Sequence, residues 1–458
     1  MKIRSITWKR HPILADLTLT ICPKNYTIPD IVLIAGENGT GKTAILKSLF
    51  DFLNKGSIDA FASIVYEHCG AQYEAKQNFK GEYIRESSSG ESRPIGYYDA
   101  HDTEAMANNF ADLRSYGCAY LPAQVHFSTK VIRDVSASVP ETEQYISAEE
   151  YDFTKLKQLL CNMHVQDSLE YTKKCSESTV SIPFSDYEKE TRVYRFKQAF
   201  NSFFNKNNLQ FSGVEESGGV FNVIFRKGGK SISLEDLSTG EKQIVFRSGI
   251  LLSRNDILTK HNSFIFIDEP ELSMHPKWEE RLLDFYASLF TVGSELQSQI
   301  FIATHSIHFV KQAMERINAT VIVLKKVEDE IIAETLTNVY PRKLTVADAN
   351  YLAFNYRSLD LHLQVYNELQ EHCDLTDSVI QFDKWLWEHI QHWPDGGDYQ
   401  KPDQYGNRTY ITLPTYIRNC TSHVNKDRKP YTEEEFAKSI ECLLRIREEC
   451  IPDWNSGF

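Results

Sequence analysis

The chain has 458 residues, 41% of them apolar, and a formal net charge of −13 at pH 7. That length predicts two or three domains with sizeable cores. The acidic balance argues against a surface that coats nucleic acid generally, leaving only local basic pairs such as Lys173-Lys174, Lys325-Lys326 and Arg428-Lys429, and no apolar run reaches the ~18 residues of a membrane span. Nine cysteines are scattered without a Cys-x-x-Cys pair, and core thiols explain Cys161 beside His164 better than a metal site does. The strand-like start, Met1 to Trp8, has no signal-peptide core. The expectation is a reduced, cytoplasmic protein.

Ile31-Val32-Leu33-Ile34-Ala35 is continuously apolar, as in a strand buried on both faces of a parallel sheet. It leads into Gly36-Glu37-Asn38-Gly39-Thr40-Gly41-Lys42-Thr43, which fits G-x-x-x-x-G-K-T. Ile45, Leu46, Leu49, Phe50 and Leu53 then recur at helical spacing. A strand, a glycine-rich loop and a helix form the setting in which backbone N–H groups converge on phosphates. Gly36, Asn38, Gly39, Thr40 and Gly41 form this cradle. Lys42 is expected to reach the β- and γ-phosphates, and Thr43 Oγ to hold Mg²⁺.

Residues 81–102, rich in Ser, Gly, Glu and Tyr, read as loop. Leu156, Leu159, Leu160 and Met163 form one helical stripe; Val193, Phe196, Phe200 and Phe203 form another. Both read as packing surfaces, and neither extends into a long coiled-coil arm. Residues 219–225 and 231–234 read as a β-pair. It enters Leu237-Ser238-Thr239-Gly240-Glu241-Lys242-Gln243, where Ser238 and the backbone around Gly240 begin a helix. That helix start either offers N–H groups to an anion or is an ordinary capping box, since Glu241 stands three residues after Ser238.

Ser263 to Ile267 is a second buried strand. It ends in Asp268, placed to hold Mg²⁺, and Glu269, placed to activate a water as general base. Ile300 to Ala303 is a third, delivering Thr304, His305 and Ser306; His305 suits a role near the γ-phosphate. Beyond about residue 341 a separate segment begins, with helical stretches near 349–355 and 361–370. Thr432 and Glu435 form a capping box for a last helix bearing Phe436, Ile440, Leu443 and Leu444.

The ordered set from Gly36 to Ser306 resembles the ATP-binding-cassette (ABC) ATPases, in the branch that holds the SMC chromosome proteins, their DNA-break-repair relatives and small ABC-like ATPases of phage defence. Ala119-Tyr120-Leu121-Pro122-Ala123-Gln124 resembles that family's Q-loop, which makes Gln124 a Mg²⁺ and water ligand. The resemblance implies ATP and Mg²⁺ as cofactors. It implies that Ser238 and Gly240 act in trans, completing the phosphate site of a second copy. The implied fold is α/β: a P-loop ATPase head with a mixed sheet flanked by helices, a helical insertion and a mainly helical C-terminal domain. The corresponding boundaries are residues 1–55 plus 210–340 for the head, 56–209 for the insertion carrying Gln124, and 341–458 for a domain that docks a partner or oligomerises.

The tail resembles the PtuA-type ATPases of Septu and of retron-associated antiphage systems, through Asn350-Tyr351-Leu352-Ala353-Phe354 and the stretch from Arg418 to His423. That resemblance implies an ATP-hydrolysing sensor of a defence complex. Its partners would be a second copy in an ATP-sandwiched dimer, higher oligomers built from such dimers, and an HNH nuclease subunit, with nucleic acid met through the complex and no membrane. Two other readings stand beside it. Arg418-Asn419-Cys420-Thr421-Ser422-His423 also fits R-N-x-x-x-H, resembling HEPN ribonucleases, with Arg418 and His423 catalytic. The third is an SMC-related DNA-repair ATPase, which the missing arms and the acidic charge disfavour.

Overall fold

The computed structural model describes residues 1–23, 26–54, 57–78, 81–94, 112–136, 145–147, 152–177, 183–204, 209–253, 263–336, 345–405, 408–422 and 429–451. Its backbone separates into two compact units, Met1–Thr335 and Leu336–Phe458.

The first unit is α/β. Its central sheet runs in the order Glu330–Leu336, Ala319–Val327, Ile31–Gly36, Gln299–Thr304, Phe264–Asp268, Cys118–Leu121, Tyr145–Ser147. Ile31–Gly36, Gln299–Thr304 and Phe264–Asp268 are buried at every position, because a strand covered on both faces needs apolar residues throughout. All three are parallel. Ala35 lies opposite Thr304, and Asp268 opposite Ala303, so their C-terminal ends finish along one edge. That edge is where open α/β sheets bind ligands.

A second, antiparallel sheet runs Thr18–Thr20, Lys2–Trp8, Phe61–His68, Ala71–Asn78, Gly81–Glu86, Ser92–Pro94. Alternation builds it: Ile3, Ile6 and Trp8 point inward, meeting Ile64 and Tyr66 from the next strand. Within the segment 56–209 assigned to an insertion, Phe61–His68 pairs with Lys2–Trp8, and Cys118–Leu121 pairs in parallel with Phe264–Asp268. Both strands therefore belong to sheets that also contain residues 1–55.

The loop expected over 81–102 is corrected over its described part. Gly81–Glu86 and Ser92–Pro94 are strands, joined by a short turn. Ile84 is buried there, opposite Ala75, while Gly81, Arg85, Ser92 and the turn residues 87–91 are exposed, which accounts for their polar composition. Residues 95–102 lie outside the described residues.

The two predicted stripes sit on helices Phe153–Glu177 and Arg192–Phe204. Leu156, Leu160, Met163, Phe196, Phe200 and Phe203 are all buried. The longer helix has 25 residues, about 37 Å, which falls far short of a coiled-coil arm. The predicted β-pair is the three-stranded sheet Leu209–Ser217, Val220–Lys227, Lys230–Ser233.

The second unit is mainly helical: Val346–Phe354, Leu359–His372, Val379–Ile390, Leu413–Ser422 and Glu433–Cys450, with one hairpin, Gln400–Tyr405 and Arg408–Thr412. Leu361, Val365, Leu369, Phe382, Leu386, Ile440 and Leu443 form its core. The Thr432–Glu435 capping box is present at its last helix. Asp383 is buried and accepts from Ile411 N, Thr412 N and Thr412 Oγ1, closing the hairpin onto the next helix. Among the described residues no helix is long and apolar enough to cross a membrane.

Candidate functional site

The phosphate loop joins Ile31–Gly36 to the helix Lys42–Leu53. Its glycines are required by geometry at two positions. A Cβ on Gly36 would stand 2.6 Å from Leu324 O, and one on Gly41, whose φ is +87°, would stand 2.6 Å from Leu14 Cδ2. No side chain caps the helix at Gly41, so its first N–H groups are left for a ligand. Asn38 and Gly39 are exposed at the turn, and Thr40 Oγ1 donates to Glu37 O at 2.8 Å. Lys42 folds back on the loop, donating to Gly36 O and Glu37 O at 2.9 Å each. Burial pulls the Lys42 ammonium below its ordinary range, while Glu269, Asp268 and Glu271 oppose that shift.

Thr43 and Asp268, 225 positions apart in sequence, are brought together: Thr43 Oγ1 donates to Asp268 Oδ2 at 2.8 Å. Asp268 is 2% exposed, and its Oδ1 is buried with no hydrogen-bond partner among the described residues. Burial raises its carboxyl, with the Thr43 hydrogen bond opposing. A hydroxyl beside a buried carboxylate with one vacant oxygen fits the oxygen-donor set Mg²⁺ requires. Gln124 is exposed, three residues beyond the strand Cys118–Leu121 that pairs with Asp268's own strand.

Glu269 leaves the strand with φ +40°, a conformation most side chains avoid, and its N–H donates to Ala303 O at 2.9 Å. The kink turns the chain out of the sheet directly after Asp268. His305 joins Glu269 here, with Nδ1 at 3.5 Å from Glu269 Oε1. It is equally near Glu271 Oε1, at 3.4 Å. Glu271 is buried and accepts from Thr304 Oγ1 at 2.6 Å and from His305 N at 2.8 Å. Burial pushes the Glu271 carboxyl up from its usual range. Ser306 caps the next helix, Ile307–Met314, by accepting from His308 N.

The signature residues stand apart from this cluster. Ser238 is exposed. Its N–H donates to Glu241 Oε2 at 2.8 Å, and its Oγ accepts from Glu241 N at 3.4 Å, so the capping box anticipated from sequence is formed. Glu241 also pairs with Lys227 at 2.8 Å. Gly240 is buried, and a Cβ there would stand 2.8 Å from Ser273 O and 3.2 Å from Trp278 Cζ3. No hydrogen bond joins Ser238 or Gly240 to the phosphate loop among the described residues.

Two residues escaped the sequence analysis. Glu271 is one. The other is Arg247, fully buried on the signature helix Thr239–Ser253. Its guanidinium donates to Asp268 O at 3.2 Å, Pro122 O at 3.0 Å, Ala123 O at 3.3 Å and Glu269 O at 3.4 Å, and to Gln243 Oε1. One cation thus ties the helix Thr239–Ser253 to the end of the strand Phe264–Asp268 and to the residues just before Gln124. The available signal was an arginine in an otherwise apolar run, between Val245 and Leu251.

In the second unit, Arg418 lies on the helix Leu413–Ser422 and donates to Asn419 Oδ1 at 3.1 Å. His423 lies outside the described residues.

A cavity of about 360 Å³ opens beside the phosphate-loop helix, lined by His11, Ile13, Ala44, Lys47, Asp51 and Phe61 among others.

A family model described as "AAA domain, putative AbiEii toxin, Type IV TA system" matches residues 179–311. No curated protein sequence matches the chain. Similar solved structures include an SMC head bound to the C-terminal winged-helix domain of ScpA, with 11% identity, TM-score 0.42, and coverage of 74% of this chain and 98% of that one. The SMC head domain from Thermotoga maritima gives 14%, 0.37, 73% and 99%. An SMC head with an extended coiled coil, bound to the C-terminal domain of ScpA from Pyrococcus furiosus, gives 11%, 0.39, 73% and 96%. The strand–loop–helix cradle and the carboxylates at the neighbouring strand end give the first unit the layout of a P-loop nucleotide site, and the AAA-domain match falls within this unit, over residues 179–311.

Proposed function

We propose that this chain is an ATP-hydrolysing regulatory subunit of an antiphage defence complex, which dimerises around ATP and controls a partner nuclease of the HNH type. One observation carries the ATPase half: Lys42, Thr43, Asp268, Glu269 and His305 converge at one sheet edge, while Ser238 is exposed at a helix start with no bond to that edge. A site split in this way is completed when Ser238 and Gly240 of a second copy close over the γ-phosphate.

In this reading the backbone of Gly36 to Gly41 and the Lys42 ammonium bind the phosphates. Thr43 and Asp268, with Gln124, would hold Mg²⁺, which would supply positive charge against the phosphates. The base and ribose enter the cavity beside Ala44. Glu269 takes a proton from the attacking water as its oxygen bonds to the γ-phosphorus and the bridge to the β-phosphate breaks. His305 keeps the Glu269 carboxylate in place and registers loss of the γ-phosphate. The second unit serves to dock the nuclease or to join dimers. The resemblance of the tail to PtuA-type ATPases supports the defence assignment.

Mixing a Lys42→Ala chain with a Ser238→Arg chain tests the shared site. Each alone is inactive; the mixture recovers partial ATPase activity, with one intact composite site per heterodimer. No recovery, in a mixture shown by mass spectrometry to form heterodimers, counts against the dimer. Copurification with an HNH protein encoded beside this chain tests the partner.

A further inference from the structure

Glu271 stands two residues beyond the proposed general base, and its side chain is only 3% exposed. Its Oε1 accepts from the Thr304 hydroxyl at 2.6 Å and from His305 N–H at 2.8 Å. The same oxygen is 3.4 Å from His305 Nδ1, which Glu269 Oε1 approaches to 3.5 Å from elsewhere. Glu271 Oε2 is buried and has no hydrogen-bond partner among the described residues.

Holding a turn does not require this carboxylate. A glutamine would accept the same two hydrogen bonds without the cost of burying a charge. What the charge adds is an acceptor for an imidazole proton. An ionised carboxylate only accepts, so a ring nitrogen 3.4 Å and 3.5 Å from two carboxylate oxygens carries the hydrogen. That leaves Nε2 as the nitrogen available to a ligand, on a side chain that is 45% exposed.

The geometry points to Glu271 as a positioning residue that fixes His305 as its Nδ1–H tautomer and, through that proton, orients Glu269. The second half of this statement rests on the ATPase reading above; the tautomer does not.

Histidine-selective ¹⁵N labelling of the full chain reads the tautomer, with His305 assigned by its loss in His305→Asn. At about pH 8.5, above the ordinary imidazole range, wild-type His305 is protonated at Nδ1. Glu271→Gln keeps an acceptor for Thr304 and for the His305 N–H, and shifts the ring toward the Nε2–H form. It also lowers kcat roughly tenfold, with ATP affinity changed less than about twofold. In a His305→Asn background the same substitution costs less than about twofold further, because the two residues act as one unit. An Nε2–H ring in the wild type, or a Glu271→Gln protein with unchanged kcat, overturns the positioning role. Failure of the ATPase reading has a different signature: Glu269→Gln would turn over ATP at the wild-type rate.

Discussion

The phosphate-loop edge and the signature helix start are the two halves of the proposed site, and they settle their polar groups in opposite ways. At the edge, bonds span the sequence: Thr43 reaches Asp268, Glu271 reaches Thr304, and Arg247 reaches Pro122. At the signature, Ser238 bonds to Glu241, three residues away. The edge is preorganised by bonds that span the whole fold. The signature is a local motif whose partner groups can be exchanged cheaply, since a capping hydrogen bond contributes only about 1 kcal/mol. Such a division suits a site whose chemistry is fixed in one copy and whose trigger arrives from another.

The largest test of the preorganised half is Glu269→Gln. It keeps the volume and removes the base, so ATP turnover falls about 10³-fold while binding of a fluorescent ATP analogue stays within a few fold. If turnover is retained, the edge is not the catalytic half. Next comes Arg247→Met, which keeps the bulk but strands carbonyls of four residues in a dry interior. Unfolding stability drops by about 3 to 4 kcal/mol in urea titrations. ATPase activity falls further than the loss of folded protein explains, because Arg247 links the two regions. A smaller effect is expected from Gly240→Ala, whose added carbon meets Ser273 O. Overpacking there costs about 2 to 3 kcal/mol. Its turnover loss appears as weaker cooperativity in ATP concentration, whereas Arg247→Met lowers the maximal rate.

Much of the edge was legible from sequence because each of its strands announces itself as an unbroken apolar run ending in polar residues. The fold around Ile31–Gly36, Phe264–Asp268 and Gln299–Thr304 followed from that pattern. Glu271 and Arg247 were not legible, since their roles exist only once distant strand ends are adjacent. Alone, Glu271 looks like a loop carboxylate and Arg247 like a solvent-facing helix residue. The strand Gly81–Glu86 was missed for a related reason: its buried Ile84 is flanked by exposed Gly81, Arg85 and Ser87, and its composition is that of a loop. Cys118–Leu121 is only four residues long, and its place in the central sheet comes from pairing with Phe264–Asp268.

The smallest effect belongs to the second unit, where buried polar groups are paired within its own core. His362 is completely buried, its Nε2 is 2.8 Å from Ser439 Oγ, and burial lowers its pKa from 6.5 to about 3. The sign follows from proton counting. Below pH 6.5 an unfolded His362 binds a proton that the folded ring refuses until about pH 3. The unfolded state therefore holds more protons throughout that window, and folding stability falls as pH drops through it, by about 1.4 kcal/mol per unit. Between pH 7 and pH 5 the loss from this residue amounts to about 2 kcal/mol. The double substitution His362→Leu with Ser439→Ala removes both hydrogen-bonding partners together, so it leaves neither stranded. Urea midpoints of the second unit, followed through its tryptophans at pH 7, 6 and 5, then fall less steeply in the variant than in the wild type. Parallel slopes would mean that His362 is hydrated in solution and that this core is looser than the sheet edge it is compared with.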